Sequence, residues 1–134
     1  MKNLLLDTDT LSYYFKQHPQ VVTNFNNHIA QQGSIFISRI SVVEILGGLK
    51  AKNASRQIAN FKSFLVQYTI LDTTEASADI SADIFAELWQ KGKHSGNYDI
   101  LIAGTAIANN LTLVTNNTKD YINITGLLLD NWTL

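Results

Sequence analysis

Three acidic residues stand at positions where a carboxylate can do chemistry. Asp7 follows the apolar run Leu4–Leu6 in LLLDTDT, with Asp9 two residues later. Glu44 sits among apolar neighbours in SRISVVEILGGL, where a carboxylate held against the core needs a partner. Asp99 precedes a markedly apolar stretch in SGNYDILIAGTA. Each has an ordinary structural alternative. Asp7 or Asp9 can cap the next helix, Ser41-x-x-Glu44 reads equally as a capping box, and Asp99 suits a first helical turn with Asn97 as the cap, where the macrodipole favours negative charge. After the run Leu111–Val114 come Thr115, Asn116, Asn117 and, past Lys119, Asp120. An Asn there can offer a carbonyl oxygen to a hard cation, or simply tie down a loop.

Gathering Asp7, Glu44 and Asp99 at one mouth forces like charges together and raises at least one pKa unless a cation is present. Mg²⁺ or Mn²⁺ removes that penalty. Mg²⁺ commonly takes one or two carboxylates and keeps several waters, leaving room for a phosphate oxygen. Hydrolysis of a phosphodiester is the chemistry such a site suits. With no cysteine, and with His18, His28 and His94 scattered, a metal would have to be held mainly by oxygen.

The elements that must bring these residues together follow from the apolar runs. Leu4–Leu6, Ile35–Ile37, Thr69–Leu71, Leu111–Val114 and Leu127–Leu129 are each short enough for a buried parallel strand. Between them, Thr10–Phe15, Pro19–Gln31, Ser41–Leu49, Ser55–Val66, Glu75–Lys91 and Tyr98–Asn109 read as helices, with Pro19 opening the second. Alternation of this kind predicts an α/β fold of three layers, α/β/α, around a mostly parallel sheet of four to five strands. In such sheets ligands bind beyond the carboxyl ends of the strands, which is where Asp7 and Thr115 to Asn117 fall.

At 134 residues the chain fits a single domain, 1–134, and 46% apolar with 16% charged residues is a globular balance. Met1–Leu6 lacks the apolar core of a signal peptide, and Ile100–Ala108 is far short of the roughly 20 residues a membrane span needs. A soluble, cytoplasmic protein with no membrane association is expected. The net charge of −1 predicts no general attraction to nucleic acid, so local clusters must supply it: Lys50, Lys52, Arg56 and Lys62, and then Lys91, Lys93 and His94 just before Asp99. Glu75, Asp79, Asp83 and Glu87 draw an acidic stripe opposite Ile80, Ile84, Phe85, Leu88 and Trp89, a solvated face against a core face or a surface for a basic partner. Gly47 and Gly48, costly inside a helix at about 1 kcal/mol each, point to close packing or a subunit contact.

Taken as a set, LLLDTDTL, SxxE with glycines beyond it, and DILIAGTA followed by LTLVTNNTKDY resemble the VapC-like PIN domains in order and spacing, over almost the whole chain. That resemblance implies a Mg²⁺- or Mn²⁺-dependent endoribonuclease, the toxin of a toxin–antitoxin pair, usually a homodimer and inhibited by a cognate antitoxin. Its acids fall on Asp7, Glu44 and Asp99, the metal ligands it implies, with the fourth acidic position near Asn117 or Asp120. Asn117 stands where many members carry an acid, and Asp9 where many carry Asn. Thr8 and Thr115 would hydrogen-bond around the ligands. Two other readings stay open. DTDT also resembles the nucleophile loop of haloacid-dehalogenase-type phosphatases, with Asp7 as nucleophile, although the later acidic pair of that family has no counterpart after a strand here. A catalytically silent PIN-like interaction module is the other.

Overall fold

The computed structural model describes residues 3–134; Met1 and Lys2, the start of the amino-terminal stretch read above, lie outside them. The chain runs β1 (Leu4–Leu6), α1 (Thr8–Phe15), α2 (Pro19–Gln32), β2 (Phe36–Ser38), α3 (Arg39–Ala51), α4 (Ser55–Leu65), β3 (Thr69–Leu71), α5 (Glu75–Gln90), α6 (Asn97–Ala108), β4 (Thr112–Val114), α7 (Thr118–Tyr121) and β5 (Leu129–Asp130). The five strands form one sheet in the order β3-β2-β1-β4-β5, and every pairing is parallel.

Strand periodicity splits the core in two. Leu4 and Leu6 join Leu11, Val21, Phe25, Ile37 and Phe61 on one face of the sheet, while Leu5 joins Ile84, Leu88, Ile102, Ala103 and Leu113 on the other. Helices cover both faces, giving the three layers expected. Because the chain leaves β1 towards β2 on one side and reaches β4 on the other, β1 and β4 flank the point where strand order reverses, the usual ligand crevice of an open parallel sheet.

On the second face α5 and α6 approach closely. A Cβ at Gly104 would overlap Ser81 Oγ and stand 2.8 Å from the Ser77 carbonyl oxygen, so only glycine permits this approach. Ser81 donates in turn to the carbonyl of Ile100, at 3.1 Å. Gly47 and Gly48 behave differently: a Cβ at either meets nothing within 4 Å, so no packing within the chain requires them.

Several local expectations change. Ser38, not Ser41, caps α3 by accepting from Ile40 N–H, so the Ser41–Glu44 capping box does not form. Gly96 rather than Asn97 occupies the cap of α6. On α5, Ile84 and Leu88 are buried as a core face should be, but Phe85 and Trp89 are 53% and 70% exposed. No helix among the described residues is long and apolar enough to cross a membrane.

Candidate active site

The carboxyl ends of β1 and β4 place Asp7 and Thr115 side by side. Asp7 N–H donates to the carbonyl of Val114 at 3.1 Å, and Thr10 Oγ1 donates to the same oxygen at 3.0 Å. The Asp7 carboxylate caps α1, accepting from Thr10 N–H at 2.8 Å, and also accepts from the Thr115 hydroxyl. Capping therefore holds, but it does not exhaust the residue. Only 3% exposed, Asp7 has its pKa pushed up to about 6, chiefly by burial, against those hydrogen bonds and with a further rise from the Asp9 charge.

One residue on, Thr8 reaches across to α3. Its hydroxyl donates to Glu44 Oε1 at 2.7 Å, and its Oγ1 lies 3.0 Å from Ser41 Oγ. A hydroxyl has one proton; Thr8 gives its own to the carboxylate, and Ser41 donates to Thr8. This relay holds Glu44 on the first turns of α3, facing the amino terminus of α6. There Asp99 Oδ1 accepts from the Tyr121 hydroxyl at 2.9 Å. Glu44 and Asp99, with Gly96, Asn97 and Tyr98, line one open hollow of about 450 Å³. Asp7 does not line that hollow. It is tied to it through Thr8 and through Tyr121, a buried ring in the field of Asp7, Asp9 and Asp99 whose own pKa is raised, first by burial and then by those charges.

The remaining candidates sort themselves by contact. Asn117 Nδ2 donates to Asp9 Oδ2, across 108 residues of sequence. The loop that carries it is fixed by Asn117 N–H donating to Thr115 Oγ1 at 3.0 Å. Asp120 is close enough to raise the Asp99 pKa, while its backbone carbonyl accepts from Ser95 Oγ at 2.7 Å. Sequence reasoning missed Tyr121 and Ser41. A hydroxyl directly after the polar run 115–120 was the available signal for the first; the second stands in the SxxE spacing, which reads there only as a capping residue.

Burial is the largest cause of the raised pKa at both Glu44 and Asp99. The Asp9 charge raises the pKa of Asp7, Glu44 and Asp99 alike, and the other charge acting on Asp99, that of Asp120, is acidic too. Such a set of oxygen donors, destabilised by its own charge, fits a hard divalent cation. No three acidic or histidine side chains among the described residues close round an ion unaided.

Residues 4–125 match the family model for the PIN domain. Ribonuclease VapC2 of Rickettsia felis is 36% identical over 129 residues, 96% of each chain, and the tRNA(fMet)-specific endonuclease VapC of Shigella flexneri is 32% identical over 133 residues, 98% of this chain and 99% of that one. Among solved structures, VapBC2 from Rickettsia felis bound to a DNA fragment from their promoter aligns with a TM-score of 0.86 at 35% identity, covering 96% of this chain and 98% of that one. DNA-bound VapBC from Salmonella typhimurium aligns with a TM-score of 0.87 at 32% identity, covering 98% and 99%. The parallel sheet, the acids at its carboxyl edge and these full-length likenesses agree: the chain belongs to the PIN domain family and is a VapC-like ribonuclease.

Proposed function

We propose that the acidic cleft at the ends of β1 and β4 is where this ribonuclease hydrolyses RNA phosphodiester bonds, with Mg²⁺ or Mn²⁺ held directly by Asp7 and Asp99, and by Glu44 either directly or through a water that it orients. The observation that carries this reading is the relay from Thr8, next to Asp7, to Glu44, which lines the same hollow as Asp99. PIN-domain ribonucleases generally depend on a divalent metal. When bound, the ion neutralises charge developing on the phosphate and makes water more acidic.

The chain's own part is to hold and orient. Thr115 and the Thr10 N–H fix Asp7, the Tyr121 hydroxyl fixes Asp99, and the Thr8 hydroxyl fixes Glu44. Asp9, oriented by the Asn117 amide, supplies the fourth acidic position, and Asp120 adds negative charge behind Asp99. The acid absent at position 117 is thus replaced from α1, on the other side of the same contact.

Partners follow the same reading. A groove of about 360 Å³ lined by Phe15, Ile45, Leu49 and Phe61 with Lys16 and Lys52 suits an amphipathic, acidic antitoxin segment. The bare face of α3 at Val43, Gly47 and Gly48 suits a second copy in a homodimer. The protein works in the cytoplasm, where its RNA is.

The test is cleavage of total RNA and of a tRNA(fMet) transcript, the latter because the Shigella relative is specific for that RNA. Cleavage should require Mg²⁺ or Mn²⁺, stop with chelator, and vanish in Asp99→Asn while the circular dichroism spectrum is unchanged. Undiminished cleavage by Asp99→Asn refutes the assignment.

A further inference from the structure

Phe85 and Trp89 lie on one edge of α5 with ring centroids 6.3 Å apart and planes inclined by 17°, a stacked pair with both rings largely in solvent. Single exposed apolar side chains are common on protein surfaces; two large rings in contact are not explained by that alone. The fold does not need them, since Ile84 and Leu88 already supply the core face of this helix.

Their surroundings select a ligand. Phe85, Trp89, Lys93, His94, Ser95 and Ile100 line one hollow. The next residues of the chain, Gly96 to Asp99, line the acidic cleft with Glu44, and Tyr98 there is 52% exposed. A strip of surface thus runs from stacked rings over two basic side chains into the cleft. Aromatic faces that take bases, with cations that take phosphates, are the two components of single-stranded nucleic-acid binding. The acidic stripe of α5 does not interrupt the strip: at 100° per residue Asp79 and Asp83 fall about a third of a turn away from Phe85 and Trp89.

Resting on the proposed RNA cleavage at the neighbouring cleft, we propose that Phe85 and Trp89 form a stacking platform for an unpaired base of the RNA substrate, with Lys93 and His94 contacting the backbone between that base and the bond to be cut. The platform positions substrate and takes no part in the chemistry.

Steady-state cleavage of a fluorogenic single-stranded oligoribonucleotide by the full chain in Mg²⁺, with oligomeric state followed by light scattering, tests this. Trp89→Ala should raise KM by about tenfold or more with kcat within about twofold, and Trp89→Phe should recover most of the loss. Lys93→Ala, a surface change that leaves the rings in place, should weaken binding and flatten the dependence of log affinity on log salt by about 0.7, one phosphate contact. A KM unchanged in both Trp89→Ala and Lys93→Ala overturns the platform while leaving cleavage at the cleft standing. A change in oligomeric state on Trp89→Ala also overturns it, assigning the rings to a second copy of the chain. If the unaltered protein neither binds nor cleaves RNA in Mg²⁺ or Mn²⁺, the cleft reading fails first and takes the platform with it.

Discussion

Removing the charge of Asp7 should stabilise the metal-free protein while destroying its activity. Burial raises the Asp7 pKa from 3.8 to about 6, so the folded chain binds this proton more tightly than the unfolded one. Stability contributed by the protonated form is complete below pH 3.8 and is lost as pH rises towards 6. At about 1.4 kcal/mol per pH unit, holding Asp7 ionised in the fold costs about 3 kcal/mol at neutral pH. Asparagine keeps the helix cap, since Asn and Asp are near-equal N-caps, and its amide can meet the Thr115 hydroxyl. Asp7→Asn should therefore gain about 1–3 kcal/mol at pH 7.5 in chelator, roughly 4–12 °C in Tm for a chain of this size. Thermal unfolding followed by circular dichroism at pH 7.5 and pH 3.5 measures it. The gain should shrink towards zero at the lower pH, where Asp7 is protonated in both states. Excess Mg²⁺ or Mn²⁺ should raise the Tm of the unaltered chain and leave the variant's unchanged. An Asp7→Asn chain no more stable than the original at pH 7.5, or one equally favoured at pH 3.5, would refute this account of the buried carboxylate.

Thr8→Val deletes the donor to Glu44 and should lower kcat about ten- to hundredfold by letting that carboxylate turn, with Thr8→Ser restoring most of it; an active valine variant would show that the relay positions nothing. Asp9→Asn should weaken Mn²⁺ binding measured by calorimetry, and Asp120→Asn should leave it nearly unchanged; the reverse order would move the fourth acidic position to Asp120. Gly104→Ala should cost about 3 kcal/mol or more through overpacking against α5, read as a large fall in the urea midpoint. Ser81→Ala should recover only part of that, because the Ser77 backbone oxygen remains in the way.

What was legible in the sequence is what local pattern controls. Leu4–Leu6 and Thr69–Leu71 are strands with the expected bounds, and acids following strands or opening helices mark out the cleft edge. Boundaries moved where a cap decided them: with Ser38 as cap, α3 starts at Arg39, two residues before Ser41, and that shift frees Ser41 to serve Thr8. The short α7 has a single turn and therefore no periodicity to detect. Phe85 and Trp89 match a core face in type and roughly in spacing, but α6 packs through Gly104 on Ser77 and Ser81 instead, leaving the rings outside. Contacts between distant residues were illegible for a different reason. Asp9 with Asn117, Thr8 with Glu44 and Tyr121 with Asp99 depend on where the sheet sets its neighbours, and no local pattern encodes that.

The same contacts explain why the acids are tolerated. A carboxylate with no partner would be expensive at the end of β1, yet Asp7 draws hydrogen bonds from a helix N–H and a threonine, and Glu44 and Asp99 each draw one from a hydroxyl. These donors are neutral. A lysine or arginine in their place would stabilise the acids more strongly, and it would also compete with any cation for the same oxygens. Neutral donors fix direction while leaving the excess negative charge uncompensated, so the pKa values stay raised and the cleft keeps its attraction for a divalent ion. Tyr121 fills the core, so only Thr8 could take a basic replacement without burying a charge there; Thr8→Lys should relieve the raised pKa of Glu44 and silence the site together, a trade that selection for stability alone would favour and selection for activity would not.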